Sequence, residues 1–214
     1  MTTKTLFVSA TGTGVGKSHA TAMLLSAAKK KGIKAAPFKP IETGVEDVAE
    51  DATMLLGLYN ELYGGSAFGV EDIAPYRFPL PAAPYIASGC ADISFRPIDE
   101  ALYKLQQVSD VVVIEGAGGL FVPISLDFFM IDLAQKYASD IFFVSRAGLG
   151  CINDVLLSKK ALDDAKINYE IFFNERDGDM FERLSKPFLS KYLQSTRMLT
   201  KQSVDDFWDR FLEG

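Results

Sequence analysis

Two kinds of hydrophobic pattern alternate along the chain. Short unbroken apolar runs occur at Lys4–Ala10 (KTLFVSA), Val111–Glu115 (VVVIE), Ile141–Ser145 and Tyr169–Phe173. Between them lie longer stretches in which apolar residues return every three or four positions. The runs read as strands and the spaced stretches as helices. Ser18–Lys31, with Ala22, Leu25 and Ala28 on one side, predicts a helix ended by Gly32, and Ile33–Lys39 a second strand. Glu50–Tyr63 predicts a helix stopped by Gly64 and Gly65, with further helices over Pro97–Val108, Phe129–Ala138 and Ile152–Ala165. The proline-rich stretch APYRFPLPAAP, Ala74–Pro84, is expected to be an irregular connection. Strands without polar alternation, separated by helices, predict an α/β fold: one domain with a parallel sheet covered by helices on both faces. No internal repeat or low-complexity linker interrupts it.

Composition narrows the picture. A length of 214 residues suits one domain, and 48% hydrophobic with 23% charged residues is ordinary for a globular chain. A net charge of −6 without a basic block argues against a general nucleic-acid or anionic-membrane binder. No apolar run approaches the ~20 residues needed to span a bilayer. MTTK leads straight into a strand-like run, so no signal peptide is read. Cys90, Cys151 and His19 form no CxxC or Cys/His cluster, which argues against a zinc or iron–sulfur centre. Two cysteines fit a reducing compartment, and a cytoplasmic location is expected.

In sheets of this kind ligands bind beyond the carboxyl ends of the strands. The five exits read ATGTGVGKS (Ala10–Ser18), KPIETG (Lys39–Gly44), EGAGG (Glu115–Gly119), RAGLGCIN (Arg146–Asn153) and NERD (Asn174–Asp177). Gly16-Lys17-Ser18 at a strand-to-helix turn is the core of a phosphate-binding P-loop. The N–H groups of Gly14, Val15, Gly16, Lys17 and Ser18 would converge on phosphate oxygens, aided by the helix dipole. Thr11 stands where the usual G-x-x-x-x-G-K-[ST] spacing has glycine. Lys39 reads either as a solvated lysine or as a second phosphate-facing cation, and its place beside the P-loop strand favours the second. Glu46, Asp47, Glu50 and Asp51 read as a solvated helix start or as a source of one metal ligand, and their spacing does not choose among them. Glu115 closes a buried strand, where a carboxylate needs a cation or hydrogen bonds to compensate it. Gly116, Gly118 and Gly119 are expected to leave room for a ligand or a partner chain.

Taken together, TxTxVGKS, KPIETG, EGAGG and GLGCIN, in this order, resemble the dethiobiotin synthetase family. The resemblance runs from about Phe7 to Asn174. It implies a P-loop NTPase-like domain over residues 1–214, with the part from about 175 onward divergent. It also implies a ligase that uses Mg²⁺, ATP, CO₂ and 7,8-diaminononanoate to make dethiobiotin in biotin biosynthesis. By resemblance, Lys39, Lys17 and Thr13 act in phosphoryl transfer, and the loop from Gly14 to Ser18, with Gly116, Ala117 and Gly118, holds the nucleotide. Ser18, Asp51 and Glu115 meet the metal. Thr43 meets the substrate, and Gly148, Leu149, Gly150, Cys151 and Asn153 bind its carboxylate across a homodimer interface. Asn174 stands where the family often hydrogen-bonds adenine. His19 is expected to be structural. Two other classes are weighed against this reading. A partitioning-type nucleotide switch carries a lysine in KGGxGK[ST], and Gly12 replaces it here. A non-catalytic relative has no need to keep Lys17, Lys39, Asp51 and Glu115 together.

The family's G-x-[IL]-P stretch near the C-terminus, which meets the base, has no clear counterpart. Weak discrimination among nucleoside triphosphates is therefore expected, because a pocket that keeps Asn174 but lacks the rest of its contacts to the base cannot select strongly. Initial rates with ATP, GTP and CTP check this. A many-fold loss with GTP and CTP would refute it.

Overall fold

The computed structural model describes residues 3–175, 180–193 and 195–213. The chain begins with β1 (Lys4–Ala10), the P-loop and α1 (Lys17–Lys30), then β2 (Ala35–Phe38) and β3 (Ile41–Thr43). Next come α2 (Glu50–Tyr63), α3 (Val70–Ile73), β4 (Tyr76–Phe78), α4 (Pro84–Ala87), α5 (Arg96–Gln106) and β5 (Val111–Glu115). The second half comprises α6 (Met130–Tyr137), β6 (Asp140–Ala147), α7 (Cys151–Ala165) and β7 (Asn168–Glu175). It closes with α8 (Met180–Leu184), α9 (Lys186–Tyr192), β8 (Arg197–Met198) and α10 (Lys201–Glu213).

The main sheet has six parallel strands in the order β2-β5-β1-β6-β7-β8, which bears out the α/β expectation. β1 lies between β5 and β6, with Leu6 opposite both Val113 and Asp140. Consecutive residues of one strand feed opposite cores, so Leu6, Phe7, Val8 and Ala10 are apolar and buried without alternation. Leu6 and Val8 face α1 and α10, while Phe7 faces the layer that includes α5, α6 and α7. The chain runs from β1 outward to β2 on one side and later to β6 and β7 on the other. The crevice at this reversal is where such sheets bind ligands.

The boundaries of the expected elements differ by a residue or two, with three local departures, while α3, α4 and the elements from α8 onward were not anticipated. The proline-rich stretch is not wholly irregular: Tyr76–Phe78 forms β4, paired in parallel with β3. Three residues between Pro75 and Pro79 are too short to show a period. The strand expected over Ile33–Lys39 is only Ala35–Phe38, and the KPIETG exit itself carries β3. The inward face of α1 is made by Ala20, Thr21, Leu24, Leu25, Ala27 and Ala28, leaving Ala22 half-buried beside α10. Arg176 and Asp177 of the last exit lie outside the described residues.

The C-terminal segment closes the fold. β8 extends the sheet through Phe172↔Arg197 and Phe173↔Met198, and α10 lies over α1. Val204, Phe207, Trp208 and Phe211 recur at i, i+3, i+4 and i+7, and all four are buried. Phe142 and Phe172 stack with ring centroids 3.9 Å apart, and Phe207 meets Phe142 edge-on at 5.0 Å. Trp208 Nε1 donates to the Leu24 carbonyl of α1 at 3.0 Å. Trp208→Ala is expected to destabilise the fold by about 3–5 kcal/mol. Trp208→Phe, which keeps most of the ring and loses the donor, is expected to cost clearly less. Urea unfolding of both variants checks the order, and equal losses would show that Trp208 stabilises the fold mainly through its hydrogen bond rather than through packing.

Candidate active site

The P-loop is held at both ends. The Thr11 N–H donates to Val144 O at 3.0 Å, and the side-chain amide of Asn174 donates to Val15 O at 2.8 Å. The sites beyond β1, β6 and β7 are thereby tied together. Gly14 (φ 71°) and Gly16 (φ 116°) adopt left-handed conformations that L side chains rarely reach. Gly16 is the N-cap of α1 and has no side chain to cap it, so the dipole end of the helix faces the loop. Lys17 Nζ donates to Gly12 O at 2.9 Å and to Gly118 O at 2.8 Å. Burial pulls its pKa down to about 8, with Glu115 opposing the fall and Lys39 adding to it.

Glu115 is the buried charge at the centre. Its Oε1 accepts from Lys39 Nζ at 2.7 Å and lies 2.8 Å from the Ser18 hydroxyl; its Oε2 lies 2.9 Å from the Thr21 hydroxyl. Lys39 also pairs with Asp51, and Asp51 Oδ1 lies 3.3 Å from Ser18 Oγ. Burial alone would lower the pKa of Lys39, but Glu115 and Asp51 together outweigh it and hold the ammonium above its usual value. Of the four acids near the start of α2, Asp51 makes these contacts, while Glu46, Asp47 and Glu50 are exposed. Two carboxylates and a hydroxyl converging beside a phosphate loop form a hard-oxygen set suited to a small divalent cation.

A cavity of about 330 Å³ joins these groups. Thr13, Gly14, Gly16, Lys17 and Ser18 line one side, and Lys39, Thr43 and Asp51 another. Glu115, Ala117 and Gly118 form the floor at the third exit. Gly116 and Gly119 play a different part from the one expected. A Cβ on Gly116 would stand 2.8 Å from the Phe7 ring, and one on Gly119 3.3 Å from Thr11 O. These glycines admit the protein's own chain. Gly118 (φ 65°) faces the cavity, but a Cβ there would meet Val122 at 2.5 Å.

The fourth exit stands apart. Gly148, Leu149, Gly150, Cys151 and Asn153 do not line this cavity. Gly150 is the N-cap of α7 at φ 87°, Leu149 is 76% exposed, and Asn153 is exposed. The side chain of Cys151 is buried in the core, and its N–H donates to Gly148 O at 3.3 Å. His19 is not packed inside: it is exposed at the rim of the cavity.

Two site residues were not anticipated. Thr21, one turn after Ser18, is fully buried, and its hydroxyl also lies 3.0 Å from Lys17 O. The GKSHAT spacing gives a weak cue, since position 21 shares a helix face with Lys17 and Ser18. Glu42 lines the cavity and accepts from the N–H groups of Asp51 at 2.9 Å and Ala52 at 3.0 Å. Burial pushes its carboxyl up from the usual carboxylate value, against the pull of those two donors.

With this geometry in view, comparison with known proteins is specific. Residues 4–194 match the family described as an AAA domain. The chain is 44% identical over 185 residues to the ATP-dependent dethiobiotin synthetase BioD of Sulfurovum sp. (strain NBC37-1), covering 86% of this chain and 88% of that protein. It is 39% identical over 191 residues to the protein of the same name from Wolinella succinogenes, with the same coverage. Among solved structures, a plasmid partition protein from Borrelia burgdorferi superposes with a TM-score of 0.59 at 12% identity, covering 100% of this chain and 99% of that one. The MinD cell division protein of Aquifex aeolicus gives 0.52 at 18% identity, covering 91% and 80%. These two show a shared P-loop fold, whereas the sequence relatives share most of their length at far higher identity. The chain therefore belongs to the dethiobiotin synthetase family of P-loop proteins.

Proposed function

We propose that this chain carries out the ATP- and Mg²⁺-dependent carboxylation and ring closure of 7,8-diaminononanoate with CO₂, giving dethiobiotin, ADP and phosphate. Its relatives bear the name of an ATP-dependent ligase of biotin biosynthesis, and membership of their family makes this chain one. The observation that carries the fuller reading is Lys39, a buried ammonium between Asp51 and Glu115, in the same cavity as Lys17 and Thr43.

One substrate amine adds to CO₂, forming an N–C bond and releasing a proton to leave a carbamate. A carbamate oxygen attacks the γ-phosphorus of ATP and ADP departs, giving a carbamic–phosphoric anhydride. The second amine attacks the anhydride carbon, closes the cyclic urea and expels phosphate, losing its proton. Little covalent help is needed from the protein, so positioning and charge stabilisation supply most of the acceleration. Lys17 and the N–H groups from Gly14 to Ser18 hold the phosphates, with Ala117 and Gly118 beside them. Lys39 balances charge between carbamate and γ-phosphate, with Thr13 at the transferred group and Thr43 at the substrate. Ser18, Asp51 and Glu115 would hold Mg²⁺, which neutralises phosphate charge when bound. Asn174 meets the base. The loop Gly148–Asn153 lies outside the chain's own cavity, which supports its serving the substrate carboxylate of a second copy in a homodimer.

The deciding experiment supplies 7,8-diaminononanoate, Mg-ATP and ¹⁴C-bicarbonate and follows acid-stable label and phosphate. Both should depend on the diamine. Phosphate release without fixed label would favour a nucleotide switch. Lys39→Ala should cut turnover by a hundredfold or so while changing nucleotide affinity little, the signature of an interaction made in the transition state. Glu115→Gln should raise the Mg²⁺ requirement roughly tenfold. Unchanged kinetics in both would sink the assignment of these residues.

Lys17 generates a pH prediction. With a pKa near 8 it is partly neutral at pH 8.5, and bound phosphates favour the ammonium. ADP binding in EDTA should therefore take up a proton at pH 8.5 and weaken as pH rises through 8. Calorimetry in two buffers of different ionisation enthalpy reads the uptake directly; its absence would place the Lys17 titration elsewhere.

A further inference from the structure

α2 starts without a cap of its own. Its N-cap residue is Ala49, which has no side-chain acceptor for the free N–H groups of the first turn. The acceptor comes instead from β3. The two oxygens of Glu42 take the N–H of Asp51 and the N–H of Ala52, the pair of donors that an N-cap side chain ordinarily serves. Glu42 is buried, and no lysine or arginine forms an ion pair with it among the described residues. The helix dipole and the two N–H groups compensate its charge.

The direction of this cap matters. A serine at position 49 would satisfy the same donors from within the helix. Glu42 satisfies them from the strand that follows Lys39 and carries Thr43, so it fastens the start of α2 to that strand. The N–H it holds belongs to Asp51, whose carboxylate meets Ser18 and Lys39. We infer that Glu42 is a positioning residue: by clamping the first turn of α2 to β3 it sets the Asp51 carboxylate for divalent-cation binding. This rests on the metal site proposed above.

The test compares Glu42→Ala, Glu42→Gln, Glu42→Ala/Ala49→Ser and, in parallel, Glu115→Gln. The direct readout is the factor by which Mg²⁺ tightens ADP binding, measured by calorimetry with Mg²⁺ and with EDTA. The kinetic readout is the Mg²⁺ concentration giving half-maximal turnover. Glu42→Ala should reduce the first and raise the second about tenfold, as loss of an outer partner of a metal ligand does, with much of the turnover recovered at high Mg²⁺. Ala49→Ser recaps the helix, so it should return the melting temperature without returning Mg²⁺ affinity. Return of both would make Glu42 a helix cap only and overturn the inference. Were Glu42→Ala not to fold, Glu42→Gln keeps one acceptor and is expected to shift both readouts in the same direction. A Mg²⁺ effect in Glu115→Gln with none in the Glu42 variants overturns the positioning role alone. No effect in either overturns the metal-site reading and the positioning role with it.

Discussion

The site is organised around one buried negative charge. Glu115 ends β5, the strand between β2 and β1, with its carboxylate buried. Removing one partner of such a charge is costly, because the survivor stays in a low-dielectric surround. Its partners come from two other places in the chain: Lys39 from the exit of β2, Ser18 and Thr21 from α1. Satisfying one carboxylate thus sets the relative positions of β5, β2 and α1. Asp51 extends the arrangement to α2 through the same lysine. The groups proposed to serve phosphoryl transfer are also those that make the burial tolerable, so geometry and local stability are not separable here.

Conformational demands reinforce the charge. Gly14 and Gly16 supply left-handed turns that let the loop fold back over the start of α1, and Gly119 lets the third exit lie against the loop backbone. Lys17 then spans the two segments through Gly12 O and Gly118 O. Thr11 and Asn174 pin the same loop to β6 and β7. The ends of four strands, β1, β5, β6 and β7, are therefore joined in one cradle, the arrangement that electrostatic preorganisation requires.

Much of this was legible in the amino-acid order. The unbroken apolar runs and the GKS turn fix the sheet and its ligand edge, because burial on both faces leaves no room for polar alternation. Lys17, Ser18, Lys39 and Glu115 stood out as charged or hydroxyl groups at strand exits. Asp51 did not stand out from Asp47 and Glu50 by spacing, since only the docking of α2 decides which acid turns inward. Glu42 was hidden for a related reason: its partner is a helix start whose own cap is missing, so the signal lies at Ala49 and the answer seven residues earlier. Gly116 and Gly119 were misread because a glycine's need for space looks the same whether a ligand or the Phe7 ring fills it. α10 carries no site motif, and its i, i+3, i+4, i+7 pattern, which went unread, belongs to packing.

The position of α10 has a consequence for how the molecule is made. The P-loop helix is synthesised well before the surface that covers it: Trp208 reaches back across 184 positions to Leu24. Contacts of such sequence separation close late. A nascent chain therefore presents α1 with part of its apolar surface bare until α10 has emerged, a state that invites chaperones. A product terminated before residue 201 would still hold Lys17, Lys39, Asp51 and Glu115, but its nucleotide helix would lack a roof.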